Sequence, residues 1–262
     1  ILFQINNTNA LENEILVKID GKIITKLDVE TEIKYLRALN KNINSLKKNK
    51  IIEIAKNSLI REKIQEIEIL NSINDDQINL NRKYLDNLIK NTYLKLGIND
   101  LDTFKQHLKK FDLDLKTVES KVSIEVLWNE LIFAKFSSKV QINKDELRKE
   151  ILNSKRNMNI SYSLSEIVFT VDNNSKYKEK FQIIENTIQT TGFSSAALTH
   201  SISSTSKVGG ELGWIDENSV SKKVKKEISK LKIGDYTNPI IIPGGFLILK
   251  LNNIKDVKKE IN

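Results

Sequence analysis

Cysteine is absent from this chain of 262 residues, and histidine, proline and methionine are nearly so, at two, two and one. The missing thiol excludes disulfides, thiolate nucleophiles and cysteine-ligated metals. With His107 and His200 as the only histidines, a histidine-based metal site is not expected, and no metal or cofactor is assigned. No stretch approaches the roughly 20 apolar residues that a spanning helix needs, so stable membrane insertion is not expected. The scarcity of glycine and proline is uneven. Residues 1–157 hold only Gly21 and Gly97 and no proline, whereas Pro239, Pro243 and seven of the nine glycines follow position 190. Helix interiors exclude both residue types, so the first part reads as long helices and the second as strands and turns.

Charge is what the chain has in quantity. Lys plus Arg number 42 against 34 Asp plus Glu, a net of +8. Such a balance suits acidic partners, anionic surfaces or nucleic acid. The lysines are interleaved with acidic residues, however, and basic runs such as Lys47-Lys48-Asn49-Lys50 are short. No stripe that could track phosphates emerges, and no nucleic-acid partner is expected. At the start, Ile1-Leu2-Phe3-Gln4-Ile5 followed by Thr8-Asn9-Ala10 reads as the end of an export signal with a small-x-small finish. Residues 1–10 are assigned to its remnant.

Residues 11–157 form the helical part. Asp20-Gly21 between Ile15–Ile19 and Lys22–Thr25 predicts a short β-hairpin, and Thr25 or Asp28 then caps a helix. On Ile51 to Leu70, residues Ile52, Ala55, Leu59, Ile60, Ile64, Ile67 and Leu70 share a face at helical spacing. Asp75-Asp76 suit the start of a helix that Gly97 ends, rather than acid–base work. A short helix from Asp100 and a longer one from Leu115 to Phe136 follow. The latter is apolar on nearly every side, as the buried centre of a bundle would be, and Trp128 reads as core. His107, among lysines, reads as surface. Residues 158–253 alternate: strand Tyr162–Val171, helices Ser175–Thr190 and Phe193–Thr199, strand Leu212–Ile215, helix Val220–Leu231, then a hairpin, Tyr236–Ile242 with Phe246–Leu251. The expected fold class is α+β: a helical N-terminal domain with a short β-hairpin, then a compact β-α-α-β-α-β-β domain. Residues 254–262 are read as the start of a C-terminal segment.

That order of elements carries local matches in sequence. Leu164-Ser165-Glu166-Ile167-Val168, Thr199-His200-Ser201, Gly209-Gly210-Glu211-Leu212-Gly213-Trp214, Leu231-Lys232-Ile233-Gly234-Asp235 and Gly244-Gly245-Phe246-Leu247-Ile248 resemble, in that order, the parvulin-type peptidyl-prolyl isomerases. Val17-Lys18-Ile19-Asp20-Gly21-Lys22-Ile23-Ile24-Thr25 resembles the opening of SurA-like periplasmic chaperones. In that family a helical domain handles unfolded polypeptide, and parvulin domains are attached to it. The resemblance implies a periplasmic folding chaperone whose partners are unfolded or extended polypeptides, outer-membrane protein precursors among them.

The same resemblance places the catalytic positions. Parvulins use two histidines and a Cys or Asp beside a Met and Phe pocket. Those positions fall here at Glu166, Leu247 and Ser203, with Val220 and Val224 in the pocket. Leu212, Trp214 and Phe246 complete the expected substrate-binding set; Trp214 is also read as packing under the sheet, and His200 as a helix-end residue. Loss of Met and Phe removes aromatic and polarizable wall. The resemblance therefore implies a retained scaffold with weak or absent isomerase chemistry. Two alternatives stand beside it: an active isomerase with an unconventional site, and a nucleic-acid-binding helical protein suggested by the +8 charge alone.

Overall fold

A computed structural model describes residues 14–72, 82–139, 158–171 and 176–258. Residues 1–10, Asp75-Asp76 and all but the last two residues of the domain boundary expected at 153–159 lie outside the described residues.

The hairpin forms as the Asp-Gly pair predicts. Strands β1 (Ile15–Ile19) and β2 (Lys22–Thr25) pair antiparallel. Asp20 and Gly21 turn between them at φ of 41° and 76°, the left-handed pair such a two-residue turn requires. Helix α1 (Lys26–Leu39) starts in a capping box, in which Thr25 accepts from the Asp28 N–H and Asp28 accepts from the Thr25 N–H. Then come α2 (Lys48–Ser72), α3 (Arg82–Lys95), α4 (Leu101–Lys109) and α5 (Leu115–Phe136). Asp100 and Asp114 cap the last two. Gly97 ends α3 with paired bonds from Ile98 N–H to Tyr93 O and from Gly97 N–H to Leu94 O, the hydrogen-bonding pattern of a left-handed helix stop.

Two apolar clusters hold these helices. One joins Tyr35, Leu39, Leu85, Ile89, Phe104, Leu108 and Val118; the other joins Ile24, Val29, Leu36, Ile43, Ile51, Ala55 and Leu59. Three expectations change. On α2 the buried stripe is Ile51, Ile54, Ala55, Ser58, Leu59, Glu62 and Ile69, while Ile64 and Leu70 face solvent. The face is rotated because α2 packs on α1 and α5 through a buried ion cluster. In it Lys121 Nζ lies 2.7 Å from Glu32 Oε2 and 2.6 Å from Glu62 Oε2. Helix α5 is not a bundle centre either. Only Val118 and Val126 are buried, Trp128 is half-buried, and Ile132, Phe133 and Phe136 are exposed. His107 is not free surface: its Nε2 sits 2.8 Å from Ala38 O and its ring lies between Phe104 and Phe111, tying α4 to α1.

The second domain is a four-stranded antiparallel sheet in the order β4-β3-β6-β5, built from β3 (Met158–Phe169), β4 (Glu211–Asp216), β5 (Ile240–Ile242) and β6 (Gly245–Lys258). Helices α6 (Tyr177–Thr191), α7 (Phe193–His200) and α8 (Lys222–Ile228) complete it. The β-α-α-β-α-β-β order holds, and β6 runs on to Lys258 opposite Met158. Side chains alternate across the sheet. Ile167, Phe169, Phe246 and Ile248 pack with α6 and α7 on one face. Leu164, Leu249 and Leu251 pack with Ile228 of α8 on the other.

The two domains touch through α7 and the loop after it. Leu198 of α7 is buried in the cluster of Ile24, Leu36 and Leu59. Asn40 and Asn42 donate to Ser194 Oγ. The Arg61 guanidinium donates to the carbonyls of Ser201 and Ser203 at 3.4 Å each, and Lys207 pairs with Glu62 at 3.6 Å.

Candidate functional site

Glu166 lies on β3 opposite Leu249, on the α8 side of the sheet, and is half-buried. The loop from Ser201 to Gly210 folds back over it. Ser201 Oγ accepts from Val168 N–H, and Val168 O accepts from Ile202 N–H. Further on, Glu166 N–H donates to Gly210 O at 2.7 Å and Gly210 N–H donates to Thr205 O at 2.8 Å. Gly210 has a φ of 81°, and a Cβ there would stand 2.2 Å from Glu166 O. No other residue fits so close to the strand.

This closure delivers two hydroxyls to one carboxylate oxygen. Ser203 Oγ donates to Glu166 Oε1 at 2.5 Å and Thr205 Oγ1 donates to it at 2.9 Å. Glu166 and Ser203, two positions chosen on the sequence, are therefore in direct contact. Thr205 was not singled out. It sits two residues after Ser203 in a polar loop, and nothing in its local sequence distinguishes it from its neighbours. Two donors satisfy the carboxylate without a cation, and no ion pair reaches Glu166 among the described residues.

Leu247 is half-buried on the same face of the sheet, paired with Val168 and Ile240. With Leu212, Val224 and Ile242 it flanks the cluster of Leu164, Ile228 and Leu249. Val220, half-buried, ends the short turn before α8. Phe246 lies elsewhere. It is buried on the opposite face, stacked on Phe169 and Tyr177 at 5.3 and 5.0 Å, because neighbours on a strand point oppositely. Trp214 does not pack under the sheet: it is 47% exposed on edge strand β4, with Lys255 Nζ 4.1 Å from its ring centroid. His200, at the end of α7, contacts Thr187 Oγ1 at 2.9 Å. Burial, with Lys180 and Lys50 nearby, lowers its pKa to about 4.

Beyond Thr205 opens a cleft of about 920 Å³ between the domains. One wall is α3 and α5, with Tyr84, Leu94 and Phe133 exposed on it. The other is the Ser204–Val208 turn and β4, including Leu212 and Trp214. Helix α5 is apolar all round because one side faces the core and another faces this cleft. The Glu166 network and the cleft share Thr205 as a common wall residue. Among the described residues no group of three or more His, Cys, Asp or Glu residues is placed to hold a metal, and no helix is long and apolar enough to cross a membrane.

Residues 160–253 match the family model described as Rotamase: PPIC-type PPIASE domain. A Chaperone SurA of Pseudomonas putida is 26% identical over 160 residues, covering 58% of this chain and 38% of that protein. A Chaperone SurA of Idiomarina loihiensis is 23% identical over 273 residues, covering 96% of this chain and 60% of that protein. The chain thus spans less than two thirds of either relative. Among solved structures, one described as a SurA-like chaperone of Campylobacter jejuni matches at 20% identity and a TM-score of 0.33, over 94% of this chain and 85% of that one.

Proposed function

Taking the chain as a SurA-like protein that carries a PpiC-type domain, we propose that it is a periplasmic folding chaperone. It binds unfolded or extended polypeptides, outer-membrane protein precursors among them, and its isomerase chemistry is weak or absent. The observation that carries this reading is the cleft between α3, α5 and β4, with Tyr84, Leu94, Phe133 and Trp214 exposed along it. Exposed apolar residues gathered in a cleft mark a binding surface rather than an accident of the surface. A concave apolar wall takes up segments that are still unfolded and releases them once they bury their own side chains.

The isomerase part of the reading rests on the groove. Rotation about a prolyl bond faces an uncatalysed barrier of roughly 18–20 kcal/mol, and an enzyme lowers it by binding the twisted, less polar amide more tightly than the planar one. At the family's positions the groove here offers Val220, Val224 and Leu247 with one hydroxyl-bound carboxylate. None of these three side chains supplies an aromatic ring, and one oxygen of the carboxylate, Oε1, is already bound by two hydroxyls.

The test pairs two assays on one preparation. Stoichiometric chain is expected to suppress aggregation of a diluted, denatured β-barrel precursor without nucleotide, while a protease-coupled assay on an X-Pro peptide stays close to blank. Unchanged aggregation at tenfold excess sinks the chaperone reading. A robust isomerase rate favours instead the second reading, an active isomerase with an unconventional site. The observation favouring that one is the intact contact of Glu166, Ser203 and Thr205.

A further inference from the structure

The charges around the cleft are not distributed like those of the whole chain. The protein carries +8, yet Glu125, Glu130 and Glu211 line the cleft with no ion-pair partner among the described residues. Two lysines, Lys95 and Lys207, share the lining with these three carboxylates, a balance of −1. Lys207 faces Glu62 at 3.6 Å, and Lys95 Nζ donates to the Glu211 carbonyl at 3.3 Å. Lys255, close by, lies over the Trp214 ring. Behind Thr205 stands a fourth carboxylate, Glu166, held by hydroxyls alone. With Glu166 counted against Lys255, the cleft still carries more negative than positive charge, the reverse of the whole chain.

From this we infer that the cleft selects extended polypeptide segments in which apolar side chains are interspersed with lysine or arginine. The inference rests on the chaperone reading and names the chemistry of its client segment. The apolar walls from Tyr84, Phe133 and Trp214 take the hydrophobic side chains, while the carboxylates meet the cationic ones. Charge at this distance decides the preference. The Debye length is about 8 Å at physiological ionic strength, so the lysines scattered over the rest of the surface are screened and the nearby carboxylates are not. Without these carboxylates, Lys95 and Lys207 would be the charges left in the lining and would favour acidic segments, so the sign of the preference is diagnostic.

The experiment uses the full chain and three fluorescein-labelled ten-residue peptides with the same aromatic and leucine content, carrying three lysines, three serines or three glutamates. Anisotropy titrations at low and at about 0.3 M salt give the affinities. The lysine peptide is expected to bind about tenfold tighter than the glutamate peptide at low salt, the scale of two or three partly screened surface ion pairs, with the gap closing at high salt. In the Glu125→Gln, Glu130→Gln, Glu211→Gln triple variant the lysine peptide should lose its advantage over the serine peptide. Glu130→Gln alone, at an exposed position, gives a smaller change in the same direction if the triple variant is poorly folded. Equal or tighter binding of the glutamate peptide by the unaltered chain overturns the inference, as does a lysine preference that survives both variants. Suppressed client aggregation with no lysine preference discards this inference alone, whereas unchanged aggregation discards the chaperone reading itself.

Discussion

Two buried carboxylates of the helical domain, Glu32 and Glu62, and the half-buried Glu166 of the second domain are held in opposite ways. In the helical domain Glu32 and Glu62 close on Lys121, whose side chain is 10% exposed and whose Nζ also lies 5.0 Å from the centroid of the Tyr35 ring. Burial works against the Lys121 cation, but Glu32 and Glu62 outweigh it and its pKa is raised. Burial likewise works against the Glu62 carboxylate, and Lys121 with Lys207 outweighs it so that its pKa is lowered. In the second domain Glu166 has two hydroxyls and no cation among the described residues. The first arrangement is closed, with each charge consumed by another. The second leaves a net charge beside a groove, where a ligand can use it. A charge neutralised inside the protein supports the fold, and one satisfied only by neutral donors stays available.

Breaking the closed cluster has the largest expected effect. Lys121→Met leaves the buried Glu32 without a cation and Glu62 with only Lys207 at 3.6 Å, and should cost about 3–5 kcal/mol, read as a lowered urea midpoint at pH 7. A loss under about 1 kcal/mol would mean that the carboxylates find water or protonate at little cost. Gly210→Ala comes next. Its left-handed backbone and a Cβ 2.2 Å from Glu166 O should cost more than about 2 kcal/mol and detach the loop carrying Ser203 and Thr205. Hydrogen exchange across residues 201–210 checks this directly, and unchanged protection there would show that the loop is held by Arg61 and Ser201 instead.

His200 supplies the pH test. Its folded pKa of about 4 lies below the ordinary 6.5, so the unfolded chain takes up the proton first as pH falls. The contribution of neutral His200 is complete above about pH 6.5 and is lost as pH falls from there toward 4. Because the ring is partly solvated, the expected loss is discounted to about 1–2 kcal/mol. His200→Gln should flatten this part of the stability curve; an identical slope in the variant would place the titration elsewhere. The smallest effect belongs to the open cluster. Thr205→Val removes one of two donors to Glu166 and should cost about 1 kcal/mol. A loss as large as that from Lys121→Met would erase the distinction between the two carboxylate groups.

Much of this was legible in the sequence because the relevant signals are local. Asp20-Gly21, Thr25 and Gly97 set turn, cap and stop through backbone geometry that a few neighbours determine. The glycines after position 190 likewise mark where the second domain must turn. What stayed hidden depends on distant partners. Thr205 reaches Glu166 only because Gly210 brings the loop against β3. Phe246 and Leu247 are adjacent in sequence yet face opposite sides of the sheet. Helix α5 illustrates the limit best: apolar residues all round suggest burial, but periodicity does not say whether a neighbouring domain closes over the last side or stands off and leaves a cleft.

The position of Leu198 has a consequence for the order in which the chain is made. Its side chain belongs to the core that Ile24, Leu36 and Leu59 form, although well over a hundred residues separate it from the last of these. A ribosome releasing the chain from its N-terminus therefore presents the helical segment with one of its own core residues still unsynthesised. During that interval the packing around Ile24 is incomplete. The helical domain reaches its final packing only after residue 198 has emerged, so the second domain acts in biosynthesis as the late closing piece of the first.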